Sequence, residues 1–139
     1  MKHLLSESCM WISKSEFTDS VGNISDSKGE TKIVIASNNE AIIESWAMLD
    51  DKKIVNNYIA QIETENNYKF IVTNSKLGIQ SGTFHIDKNV IYSKFQIDKT
   101  ELNGFEVIIR NNNECQVYGC LYNGKNIINS WQTSLRKVE

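Results

Sequence analysis

The stretch Asn103-Gly104-Phe105-Glu106-Val107-Ile108-Ile109-Arg110-Asn111-Asn112-Asn113-Glu114-Cys115-Gln116-Val117-Tyr118-Gly119-Cys120-Leu121-Tyr122-Asn123-Gly124-Lys125-Asn126-Ile127-Ile128 reads as strand, turn, strand, turn, strand. Asn-Gly supplies the positive φ angles that tight primed turns require, so Asn123-Gly124 joins two apolar runs as a hairpin. The cluster Asn111-Asn112-Asn113 does the same one strand earlier.

The pattern extends in both directions. Apolar runs at 82–86 and 90–97 flank Asp87-Lys88-Asn89, and 68–73 follows Glu63-Thr64-Glu65-Asn66-Asn67. The run 53–62 follows Asp50-Asp51-Lys52, and 32–36 and 41–49 flank Ser37-Asn38-Asn39-Glu40. The last run covers 126–135, and a first strand fits 10–17. Turn signals every 8–12 residues or so mark an all-β sandwich or barrel, here with about ten strands. Strands joined by tight turns pair as neighbours in space. An open sheet of that length leaves two unpaired edges, and closure removes them. The expectation is all-β: one up-and-down meander barrel of about eight to ten strands, formed by residues 1–139 as a single domain. Loop lengths leave a Greek-key sandwich open as the alternative.

Two stretches break the pattern. Residues 18–30 read as a long polar loop containing Gly22 and Gly29, and 74–81 as a second irregular stretch anchored by Leu77 and Ile79. Residues 3–10 fit one short helical turn plugging an end. The segment 35–46 also aligns without gaps on 120–131, sharing a turn Asn, then Ile-Ile, one polar residue and Ser-Trp. Two hairpins under the same geometric rules account for that similarity as well as a duplication does.

With 139 residues and a net charge of -2, the chain can bury a real core and carries no basic run. Nucleic acid and membrane surfaces are therefore not expected partners. The N-terminus lacks the apolar core of a signal peptide, and three cysteines leave one unpaired in any scheme, so a cytoplasmic protein is expected. Oligomeric state is not legible.

The strand faces do not alternate cleanly. Ile42, Glu44, Trp46 and Met48 oppose Ile43, Ser45, Ala47 and Leu49; Phe105, Val107 and Ile109 oppose Glu106, Ile108 and Arg110. A sandwich core calls for one strictly apolar face per strand. A barrel of eight or more strands can instead enclose a cavity where water or ligand satisfies Asn, Glu or Tyr.

The meander, Trp11 near the start of the first strand and Arg136 just after the last resemble the calycin barrels, the lipocalin, fatty-acid-binding-protein and nitrobindin-like group. The resemblance implies a fold, an apolar pocket, and a cation–π contact of Arg136 on Trp11 that closes one barrel end. Departures are Cys9, where lipocalins usually place Gly, and the lack of a late histidine for haem.

Expected function is a binding module for a small, partly apolar or amphipathic molecule, with Glu44, Trp46, Tyr58, His85, Tyr92 and Trp131 lining the cavity and Tyr118 beside them in an aromatic wall. No cofactor and no metal are expected; Cys115 and Cys120 are too far apart for a compact ligand pair and face opposite ways. A second reading is a small lyase- or isomerase-type enzyme using His85 and Glu44 as acid and base. A third is an interaction protein with a dry core. Arg110 reads either as a buried clamp for a carboxylate or, more simply, as an exposed turn residue.

Overall fold

The computed structural model describes residues 1–138. Ten strands follow one another: β1 Cys9–Asp19, β2 Ile24–Ala36, β3 Glu40–Leu49, β4 Lys52–Thr64, β5 Asn67–Asn74, β6 Gly78–Asp87, β7 Val90–Ile97, β8 Leu102–Asn111, β9 Glu114–Asn123 and β10 Asn126–Val138. Each pairs antiparallel with its neighbour in sequence. β1 also pairs with β10, from Met10 opposite Val138 to Asp19 opposite Asn129. The result is a closed up-and-down barrel of calycin type with no sheet edge, so the two-layer alternative falls.

The turns sit where the Asn, Asp and Gly clusters predict. Asp50 and Asp51 both carry positive φ, 51° and 63°, and so do Asn39, Lys88, Asn112 and Gly124. The paired positive angles at Asp50 and Asp51 match the right-handed twist of the flanking strands, which types I and II do not.

Both expected loops are strands. β1 runs on to Asp19 and β2 starts at Ile24, so only a short turn remains of 18–30. The reason is side-chain parity. Ser25, Ser27 and Gly29 point inward along a polar stretch of wall, and Ser27 is 4% exposed. β6 likewise starts at Gly78. Leu77 and Ile79 anchor no core: both are exposed, Leu77 at the rim of the barrel interior.

The N-terminal plug exists, but as a non-helical turn closed by Ser6 N–H donating to the His3 carbonyl at 3.1 Å. It buries Leu4 and Leu5 in one barrel end. There Trp11 is wholly buried, and the cation over its ring is Arg110, with the guanidinium carbon 5.1 Å from the ring centroid. Arg136 does not make that contact. It pairs with Ile12 across β1–β10 and faces outward, out of phase with inward Leu135. Arg110 shares the inward face of β8 with Ile108, so it is buried rather than exposed at its turn. Its Nε donates to the Asn112 carbonyl at 2.7 Å, one terminal nitrogen to the His3 carbonyl at 3.1 Å, and the other to Glu7 Oε1 at 3.3 Å. Glu7 also receives Lys2 and Lys137. Those cations, Lys137 foremost, hold its carboxyl at about 2, well below the usual range. One arginine thus ties the plug to the barrel wall.

Candidate functional site

Inside, the barrel keeps an elongated cavity of about 490 Å³. That lies within the usual range for small-molecule sites. Leu4 and Leu5 form its floor, and Asp19, Asn23, Asp50 and Lys76 border it at the end where the β1–β2, β3–β4 and β5–β6 turns gather.

Its walls differ in chemistry. β10, β1, β2 and β3 contribute hydroxyls and an amide: Thr133, Ser13, Ser15, Ser25, Ser27, Ser45 and Asn129. Ser15 and Thr133 share a 2.8 Å hydrogen bond, while Ser27 Oγ and Asn129 Oδ1 have no partner among the described residues. Across the barrel, β4, β6 and β7 contribute Tyr58, Phe84 and Phe95. Tyr58 and Phe84 centroids lie 6.4 Å apart, and Phe84 stacks on core Phe70 at 4.3 Å.

Glu106 joins the two walls. It sits opposite Gly119, and Gly119 sits opposite Trp131. The Trp131 indole lies over Gly119, where a Cβ would come within 2.4 Å of ring atoms, and its Nε1–H donates to Glu106 Oε2 at 2.7 Å. Only a glycine lets the ring cross that strand. Glu106 lies deep in the barrel, and burial raises its carboxyl above the ordinary range despite the indole bond. Burial, then Glu106 itself, likewise raises the Tyr58 phenol. The second Glu106 oxygen has no hydrogen-bond partner among the described residues.

Of the residues expected in the cavity, the barrel brings together Tyr58 and Trp131. Glu44, His85 and Tyr92 point outward. Each falls between inward neighbours: Ile43 and Ser45, Phe84 and Ile86, Ile91 and Ser93. His85 hydrogen-bonds Asn67 Oδ1 at 2.9 Å on the outer surface, where it borders a groove with Tyr92. Tyr118 is also outside, 46% exposed. Trp46 borders the cavity, but its ring is on the outer side, with Lys53 Nζ 5.1 Å from the centroid. A bulge between Ile127 and Asn129 in β10 accounts for the contrast with Trp131, its counterpart in the aligned hairpin. One extra residue turns Trp131 inward, whereas unbulged β3 leaves Trp46 outward.

Glu106 is the residue that reading the sequence missed. Its signal was present: Glu106, Ile108 and Arg110 share a face, and Gly119 supplies the gap that a large inward side chain needs. Among the described residues, no three His, Cys, Asp or Glu side chains converge as a metal site.

Fold and cavity together define a calycin-like barrel, closed at one end, with a ligand-sized interior. Among solved structures the chain is similar to the S-type phycobiliprotein lyase CPES from Guillardia theta, with a TM-score of 0.69 and 10% identity over 96% of this chain and 89% of that one. No protein-family model matches the chain, and no curated protein matches it significantly.

Proposed function

We propose that this barrel binds one small, partly apolar molecule in its interior. The observation that supports this most is the cavity itself: a ligand-sized space between an aromatic wall and a hydroxyl wall, where Ser27 and Asn129 hold buried polar atoms without partners. Native interiors satisfy such groups with water or ligand. The shared fold with a phycobiliprotein lyase is in keeping with an interior that receives an organic molecule. Acid–base chemistry by Glu44 and His85 gains no support, because the two face solvent on β3 and β6, which are not neighbours, and share no cavity. Cys9, Cys115 and Cys120 are all free thiols, which favours a reducing compartment such as the cytoplasm.

Native mass spectrometry of the purified protein, with and without a mild organic wash, tests the proposal. A co-purified mass adduct lost on washing is expected. A single unliganded mass, together with no change in tryptophan emission on titration with apolar probes, would count against it.

A further inference from the structure

The cavity's charge distribution narrows the ligand class. The charged residues lining it are Asp19, Asp50, Glu106 and Lys76, three acids to one base. Lys76 is exposed at the open end, so no cationic side chain borders the deep half. Arg110, the buried cation of the barrel, is committed to the plug through Asn112, His3 and Glu7. Asp19 is spent on its own turn, accepting from the Val21 and Asn23 backbone and the Asn23 amide. Glu106 has one oxygen bound by Trp131 and one facing the cavity unpartnered.

From this we infer that the ligand is an organic cation: an apolar body with a protonated nitrogen that docks on the free oxygen of Glu106. This rests on the interior being a binding site at all. A carboxylate ligand would meet Glu106 as a like charge with no deep counter-ion, and repulsion across a short, poorly solvated gap is costly. A neutral hydroxyl would gain an ordinary hydrogen bond, and an ammonium a charge-assisted one of roughly twice the strength. The aromatic wall of Tyr58, Phe84 and Phe95 supplies apolar contact and ring faces that tolerate a cation. Desolvation already raises the Glu106 carboxyl in the empty barrel, and a cation at Oε1 opposes that cost.

Decylamine, decanol and decanoate share one apolar chain and differ in head charge. Calorimetric titration of each into the wild-type protein at neutral pH should rank amine over alcohol over carboxylate, the amine roughly tenfold tighter than the alcohol. Glu106→Gln keeps the shape and an acceptor for Trp131, so it should retain decanol and bring the amine to within about twofold of it. Decanoate binding as tightly as decylamine, or an amine preference that survives Glu106→Gln, overturns the inference while leaving the binding role in place. Binding of none of the three would overturn the binding role and the preference with it.

Discussion

The two ends of this barrel handle polar groups in opposite ways. At the plugged end Arg110 is 3% exposed yet has every neighbour it needs: a ring beneath it, two carbonyls and a carboxylate. Further along the axis, Glu106 is deep in the barrel with only one oxygen satisfied. The turns at both ends are rich in asparagine and charged residues, and those at the mouth add exposed apolar side chains. At the mouth, Val21, Leu77 and Ile127 stand 80%, 42% and 59% exposed. One end is a packed core in which the Trp11 indole N–H alone lacks a partner among the described residues, and the other is left open. A fully paired buried charge specifies structure, whereas a half-paired one facing a cavity implies something still to be bound.

Breaking the packed end should have the largest effect. Arg110→Ala leaves the His3 and Asn112 carbonyls without their donor and removes the cover of Trp11, while Glu7 keeps Lys2 and Lys137. Leaving a buried acceptor without its donor costs about 1–3 kcal/mol. Urea denaturation should show that loss, with Arg110→Lys recovering less than half, because a point charge cannot both stack and fork. Ile127→Ala at the mouth should stay within about 0.5 kcal/mol of wild type. Equal losses at both ends would erase the contrast.

A smaller effect is expected midway. Gly119→Ala places a methyl within 2.4 Å of the Trp131 ring, so the ring must shift off Glu106. Overpacking of that kind costs about 1–3 kcal/mol. Near-ultraviolet circular dichroism should report the displaced indole, and the decylamine preference should shrink even in protein that remains folded.

The fold was largely legible because turn chemistry is local. Asn123-Gly124 and Asp50-Asp51 announce hairpins without reference to anything distant. The site was less legible because facing is global. A strand's inward parity depends on closure and on any bulge, and the β10 bulge that turns Trp131 inward leaves no mark in composition. Apolarity does not decide facing either: on β8 the inward face is Glu106, Ile108 and Arg110, opposite the more apolar Phe105, Val107 and Ile109. The long polar run at 18–30 looked like a loop for the same reason, since its serines serve a polar interior. Adjacency to its turn makes Arg110 read as a turn residue, and only the carbonyls of Asn112 and the plug explain why burial wins.

The finest comparison sets the two carboxylates against each other through pH. Glu106 titrates higher in the folded chain than unfolded. It therefore takes up protons on folding, and stability falls as pH rises from the ordinary carboxylate range through its raised value. Glu106→Gln removes that slope, so the variant should gain on wild type in urea at neutral pH and not at mildly acidic pH. Glu7 carries the opposite sign. Its folded value of about 2 lies below the ordinary 4.5, so its contribution is complete above 4.5 and is lost as pH falls toward 2. Its side chain keeps 21% of its surface in water, so screening makes this the smallest of the effects. Glu7→Gln should flatten the acid limb of the urea midpoint against pH while leaving the neutral limb parallel to wild type. An acid limb unchanged in Glu7→Gln would mean that the Lys2, Lys137 and Arg110 contacts to Glu7 contribute nothing in solution, and that Arg110 holds the plug through its carbonyl bonds and Trp11 alone.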